Sequence, residues 1–261
     1  MQNKETDFKQ CCADFYQNEL SQFLFGESMH PGGLGLTEEM AEKILVGKDC
    51  TVLDLACGVG TTAIFLAKKF GCDVVGLDLG RKNIESARRN SENAGTASKT
   101  DFQVGDTDEV KFCSETFDRI VCECAFCLFP DKTKASQEMY RVTKIGGKIG
   151  ISDIVVRGSL PYDLKDALYQ FTCILEAKSE QEYRKYLESA GFTNILFEDR
   201  KEDLLKLADD IKKRLFAAEV LIGLGKIKIS LDLDKVKKTL QQIRACTETG
   251  LISYTMITAT K

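Results

Sequence analysis

The run Val52-Leu53-Asp54-Leu55-Ala56-Cys57-Gly58-Val59-Gly60-Thr61 constrains the fold of this 261-residue chain more than any other stretch. It reads as a short buried strand with an acid near its C-terminal edge, a glycine turn, and a helix opened by Thr61 and Thr62. In an open α/β sheet, ligands sit beyond the carboxyl ends of the strands, so a turn placed here faces a pocket. Gly58 and Gly60 have no Cβ, which lets the turn take strained dihedrals and lets a flat ligand approach the backbone. The first amides of the following helix have no intrahelical partners and point toward the same place.

Two ligand classes use such a turn. Gly58-Val59-Gly60-Thr61-Thr62-Ala63 satisfies the G-x-G-x-x-A pattern of a dinucleotide site, and Asp78 lies where that pattern wants a ribose-binding acid. Asp54 argues the other way. A carboxylate ahead of the turn repels a pyrophosphate but attracts a sulfonium and an ammonium group. The cofactor this favours is S-adenosyl-L-methionine. A nicotinamide-dependent oxidoreductase on the same fold class, and Asp54 as a mere cap of the turn, remain the alternatives.

Composition narrows the setting. A hydrophobic fraction of 43% supports a sizeable core. No apolar run approaches the length of a membrane span, and the start Met1-Gln2-Asn3-Lys4-Glu5-Thr6-Asp7 is unlike a signal peptide. A formal net charge of −4 argues against wholesale nucleic-acid binding. Lys226, Lys228, Lys235, Lys237 and Lys238 cluster late in the chain, but Asp232 and Asp234 interrupt them as on a solvated helix face. Eleven cysteines without an export signal imply reduced thiols in a cytoplasm rather than a disulfide framework. Cys122-x-Cys124-x-x-Cys127 is the one tight cluster; with no second pair and a single histidine, no metal site is expected. Cys57 reads either as a thiol activated by the helix N-terminus or as a small buried side chain.

Along the chain, Phe8, Cys11, Cys12, Phe15, Leu20, Phe23 and Leu24 predict an amphipathic helix over about 7–25. His30-Pro31-Gly32-Gly33-Leu34-Gly35 reads as a turn, and Thr37 with Glu38 and Glu39 as a helix start running to about Val46. From Cys50 strands and helices alternate: strands at 51–56, 73–78, 101–104 and 117–123, helices at 60–70, 81–94 and 132–143. Lys144-Ile145-Gly146-Gly147 reads as a turn before a strand from Lys148 to Val156. Helices follow at about 163–176 and 179–190, a strand at 192–198, helices at 202–222 and 232–246, and a closing strand from Leu251 to Thr260. The alternation predicts an α/β, doubly wound parallel sheet. It divides into an N-terminal helical lid (1–48) and a cofactor-binding core (49–261) carrying a helical cap (202–246) before the last strand.

These motifs in this order resemble class I S-adenosylmethionine-dependent methyltransferases, over roughly residues 30 to 200. The stretch from Val52 to Gly60 is similar to the family's cofactor loop, with Ala56 where glycine is commoner. Val74-Val75-Gly76-Leu77-Asp78 resembles the second strand, whose acid binds both ribose hydroxyls in the family. Gly105-Asp106-Thr107 resembles the motif whose acid accepts from the adenine amino group. Phe117-Asp118-Arg119-Ile120-Val121 with Glu123-Cys124 resembles the motif at the cofactor's reactive end, and Arg141-Val142-Thr143-Lys144-Ile145-Gly146-Gly147-Lys148 the turn before the fifth strand. The resemblance implies a seven-stranded, Rossmann-like sheet with the last strand antiparallel, and methyl transfer to a small-molecule acceptor. Tyr16, Gly33, Thr37, Asp54, Ala56, Cys57, Gly58, Gly60, Thr61, Asp78, Leu79, Asn83, Gly105, Asp106, Thr107 and Glu123 are the residues expected to hold the cofactor.

The acceptor half is expected at His30, Glu123, Cys124 and Cys173. Glu123-Cys124-Ala125-Phe126-Cys127-Leu128-Phe129-Pro130-Asp131-Lys132, Ser152-Asp153-Ile154-Val155, and Cys173 ahead of Tyr183 and Ala190-Gly191-Phe192 resemble the matching parts of arsenite methyltransferases. The resemblance implies a soft nucleophile, a thiol or trivalent arsenic, held by thiolates. This chain departs from it at Thr61, Thr62 and Ala63, where those enzymes carry a further cysteine. Cys122 and Cys124, two apart on a strand, are expected on one face, with Cys122 read as core and Cys124 as lining the pocket. His30 is a candidate acceptor contact or weak general base. A cofactor-binding protein without turnover, acting on a partner through its cap, is the non-enzymatic alternative.

Overall fold

The computed structural model describes residues 30–168, 174, 176–224 and 232–261; the helix expected over 7–25, Tyr16 and Cys173 lie outside them. Its frame is a seven-stranded sheet of β1 (Thr51–Leu55), β2 (Asp73–Asp78), β3 (Thr100–Val104), β4 (Phe117–Glu123), β5 (Thr143–Val156), β6 (Thr193–Asp199) and β7 (Ile252–Thr260). The strand order is β3-β2-β1-β4-β5-β7-β6, and β7 runs antiparallel to both of its neighbours. The described helices are α1 (Gly33–Lys43), α2 (Thr61–Phe70), α3 (Arg81–Ala94), α4 (Lys132–Val142), α5 (Tyr162–Ala167), α6 (Glu180–Ala190), α7 (Lys201–Gly223) and α8 (Leu233–Glu248).

Val52 to Leu55 are all buried, as a central parallel strand covered on both faces requires. One face packs Val52, Val121, Ile154 and Tyr254 against Met40 of α1 and Leu66 of α2. The other packs Leu53, Leu55, Ile120, Cys122 and Ile151 against Met139 of α4 and Leu187 of α6. The strand order reverses between β1 and β4, so the topological switch point lies at the carboxyl ends of these two strands. Asp54 and Glu123 sit there.

Two local expectations are corrected. Helix α1 begins at Gly33 rather than Thr37 and ends at Lys43, short of Val46. Gly32 and Gly33, read in the sequence as breakers, take left-handed φ of 79° and 52° at the helix entrance, and Leu45 turns out of it at φ 60°. Tertiary packing overrides the glycine penalty here: Leu36, Thr37, Met40 and Ala41 are buried, and a Cβ on Gly150 of β5 would lie 2.7 Å from Met40 Cγ. Lys144–Gly147 is likewise not a turn before β5 but an irregular part of it. The pairing with β4 jumps between Phe117 and Arg119, and the slack is tied to the chain end by Gly146 N–H to the Lys261 carbonyl and Lys261 N–H to the Gly147 carbonyl, both 3.0 Å.

Between β6 and β7, α7 and α8 pack on each other through Ile211, Leu215 and Val236, a small cluster separate from the two sheet faces. Among the described residues no helix is long and apolar enough to cross a membrane.

Candidate active site

Asp54 pairs with Val121 across β1 and β4, and Glu123 lies two residues further along β4 on the same face. The fold therefore brings two carboxylates to one spot. Asp54 is 2% exposed; the Ala63 amide of α2 donates to it, while its Oδ2 has no hydrogen-bond partner among the described residues. Burial pushes its carboxyl well above the usual range, and the neighbouring charges of Glu123 and Asp78 push it further.

The Glu123 side chain, 5% exposed, accepts from hydroxyls on two helices. Thr37 Oγ1 of α1 lies 3.0 and 3.1 Å from its two oxygens, and Thr62 Oγ1 of α2 donates to Oε2 at 2.5 Å. His30 Nε2 stands 3.5 Å from the same Oε2, and its Nδ1 lies 3.1 Å from the Pro31 carbonyl. Thr62 is the member that sequence reasoning missed. The signal was helical phase, because Thr62 shares the buried face of α2 with Ala63 and Leu66.

Ala56 and Cys124, the residues just past the ends of β1 and β4, both take left-handed φ, 59° and 53°. Side chains with a Cβ are held there at a cost of about 1–2 kcal/mol each. The Cys124 amide donates to the Ser152 carbonyl at 2.7 Å, which fixes that reversal. It also corrects the expectation that Cys122 and Cys124 share a face. Cys122 is fully buried among Leu53 and Ile151, whereas Cys124 turns half-buried onto the opposite face, the one packed by α1 and α2.

In the glycine turn, Gly58 has φ 53° and a Cβ built on it would meet nothing within 4 Å. Gly60 has φ 83°, and its Cβ would lie 2.9 Å from the Phe102 ring. Gly58 thus faces open space, and Gly60 is fixed by packing. Cys57 shapes the loop from below: its amide donates to the Leu77 carbonyl at 3.1 Å, and its Sγ would lie 2.8 Å from a Cβ on Gly76. Burial raises the Cys57 thiol well above its ordinary value, the opposite of an activated thiolate.

Asp78 closes the other end. Its Oδ2 accepts from Gly58 N–H at 2.9 Å, and its Oδ1 from Gly80 N–H at 2.7 Å and Asn83 Nδ2 at 3.0 Å. Burial raises this carboxyl too, against the pull of those donors. Next to it Leu79 is 40% exposed, and Val104, beside Asp78 on β3, is 45% exposed. Gly105 is required by close approach, because a Cβ there would lie 2.5 Å from Leu77 Cδ1. Asp106 accepts from the Asp108 amide at 3.0 Å, with half-buried Thr107 in the same turn. Thr61 opens α2 and Gly33 opens α1.

Open space over Gly58, an unpartnered Asp54 oxygen and carboxylates at 54, 78 and 123 fit a cationic ligand, not a pyrophosphate. A family profile described as "Methyltransferase domain" matches residues 47–191. The chain belongs to this methyltransferase family. It is an S-adenosylmethionine-dependent methyltransferase, and S-adenosyl-L-methionine is its cofactor. The dinucleotide reading of the same glycines is set aside.

Methyltransferase GfsG of Streptomyces halstedii is 31% identical over 222 residues, 77% of this chain and 76% of that protein. Phosphoethanolamine N-methyltransferase 3 of Arabidopsis thaliana is 29% identical over 75% of this chain, which spans only 39% of that relative. Among solved structures, phosphoethanolamine N-methyltransferase 2 of Haemonchus contortus, in complex with S-adenosyl-L-methionine, superposes with a TM-score of 0.80 at 20% identity, covering 95% of this chain and 59% of that one. At that identity the match shows the fold, including the antiparallel β7.

Proposed function

We propose that the methyltransferase acts on a small-molecule acceptor whose nucleophilic atom is soft, a thiol or trivalent arsenic, presented between His30, Glu123 and Cys124. The observation that carries the reading is the convergence of α1, α2 and the residues from His30 on Glu123, with the Cys124 turn reversing beside it.

The residues divide the work by charge and shape. Asp54, with its unpartnered oxygen, would take the ammonium of the cofactor's methionine part, with Gly58 leaving room for it. Asp78 would accept from ribose hydroxyls on the lone pairs left by its three donors, while Leu79 and Asp106 would pack and hold the adenine. The cofactor supplies an electrophilic methyl group on a sulfonium. Glu123 places negative charge near that end of the site, and the low exposure around it keeps water out. Methyl transfer is an in-line displacement that needs alignment above all, and strand ends fixed as Ala56 and Cys124 are supply it. His30 Nε2, facing Glu123, is placed to take the proton of a thiol acceptor.

The test is methyl release from labelled S-adenosyl-L-methionine to 2-mercaptoethanol, glutathione, arsenite, ethanolamine and phosphoethanolamine, for the full chain and for Cys124→Ser. Thiol or arsenite turnover that Cys124→Ser reduces supports the reading. Turnover confined to the amines, indifferent to Cys124→Ser, overturns it.

A further inference from the structure

Behind Cys124 lies a buried polar group that the chemistry above does not use. Asp153 of β5 is fully buried, and its Oδ2 accepts from the Cys127 amide at 2.6 Å. Its Oδ1 accepts from Ile154 N–H at 2.7 Å, and the Cys127 thiol also donates to the carboxylate. Lys132, 6% exposed, reaches into the same turn and donates from Nζ to the Cys127 carbonyl at 2.6 Å and the Phe129 carbonyl at 3.0 Å. Three successive residues of β5 face this turn and its cover: the Ser152 carbonyl takes the Cys124 amide, the Asp153 carboxylate takes the Cys127 amide, and the Ile154 carbonyl takes the Tyr183 hydroxyl at 3.2 Å. The Phe126 ring centre lies 5.6 Å from those of both Phe129, which it meets edge-on, and Tyr183.

Burying a carboxylate and an ammonium is costly, and an apolar filling would hold the same volume more cheaply. What these two charges provide is directional: four hydrogen bonds to the backbone of residues 127–129 and to the Cys127 thiol, which leave the turn a single conformation. Cys124, whose left-handed φ of 53° turns it onto the face packed by α1 and α2, lies at the head of that turn. We propose that Asp153 and Lys132 are positioning residues that lock the 124–129 turn and thereby set where the Cys124 thiol stands. Neither touches substrate. The link to acceptor handling rests on the reading of Cys124 above; the locking of the turn does not.

The experiment measures iodoacetamide alkylation of each cysteine by peptide mass spectrometry in the wild type, Asp153→Ala and Lys132→Met, with the S-adenosylhomocysteine dissociation constant and acceptor kinetics alongside. Cys113, exposed, is the reference thiol, and buried Cys72 reports general loosening. Loss of charge-assisted bonds predicts a change of roughly tenfold or more in Cys124 alkylation. Cys72 is expected to stay protected and S-adenosylhomocysteine binding to stay within about twofold, while acceptor kcat/KM falls by about 10- to 100-fold. An unchanged Cys124 rate in both variants, or Cys72 rising in step with Cys124, overturns the positioning role. Unaltered acceptor kinetics in Cys124→Ser overturns the acceptor reading instead. Should Asp153→Ala fail to fold, Asp153→Asn, which keeps one acceptor for the Cys127 amide, takes its place with a smaller change expected.

Discussion

Two glycines of one turn separate binding from folding. Gly58→Ala adds a methyl group at φ 53° with nothing within 4 Å of it. The left-handed backbone costs about 1–2 kcal/mol for a residue with a Cβ. The stiffer unfolded chain offsets about 0.4–1 kcal/mol of that. The variant is therefore expected to lose no more than about 1–1.5 kcal/mol of stability. Gly60→Ala has the same backbone penalty at φ 83° and also drives its methyl to 2.9 Å from the Phe102 ring and 3.0 Å from Ala87 Cβ. Overpacking of that kind adds about 1–3 kcal/mol, for a total near 1–4.5 kcal/mol after the same unfolded-chain offset. If the cofactor lies over Gly58, the new methyl intrudes on it by a similar about 1–3 kcal/mol, which is about a 5- to 150-fold weaker dissociation constant. Chemical denaturation and calorimetric titration with S-adenosylhomocysteine measure both quantities on each variant. The reasoning is refuted if Gly58→Ala binds S-adenosylhomocysteine as the wild type does, or if Gly58→Ala is the less stable of the two.

Ala56→Gly relieves about 1–2 kcal/mol of left-handed strain at φ 59° but loosens the unfolded chain by about 0.4–1 kcal/mol, so stability should rise by about 0–1.5 kcal/mol, read by urea midpoint. Asp54→Asn should weaken S-adenosyl-L-methionine binding by about 10- to 100-fold through loss of a charged partner. Because the Asp54 carboxyl sits above its unfolded value, the folded chain binds more protons in the window between the two. Wild-type stability without ligand therefore falls as pH rises through that window, and Asp54→Asn should flatten the fall in melting curves. Asp153 acts in the same direction: burial lifts its carboxyl to about 6, so it lowers stability progressively between about pH 4 and 6. Thr62→Val removes the hydroxyl that donates to Glu123 at 2.5 Å and should cost about 1–3 kcal/mol, measured by denaturation.

The frame was legible in the sequence because each strand and helix carries its own period. β2, β4 and α3 fall where apolar alternation and helical spacing place them. Asp54, Gly58, Gly60 and Asp78 were legible because the motif fixes their spacing along one turn and one strand. The rest depends on tertiary contacts that no local pattern encodes. Gly33 and Gly35 enter a helix because α1 lies across Gly150 of β5, a contact far along the chain. Cys124 leaves the face of Cys122 because its backbone reverses to reach the Ser152 carbonyl, and a two-residue alternation assumes an unbroken strand. Thr62 and Thr37 meet at Glu123 only after two helices have packed. Asp153 and Lys132 stand in the sequence only as members of two resembling motifs, and burial makes them anchors of a turn.

The central claim, that the carboxylates at 54 and 78 and the open glycine at 58 form the cofactor cradle, is tested most directly by one calorimetric titration. S-adenosyl-L-methionine is titrated into the wild type, Asp54→Asn and Asp78→Asn at the same pH and salt. The account predicts one saturable site in the wild type and a dissociation constant weakened by about tenfold or more in each variant. Wild-type affinity in both variants would contradict it.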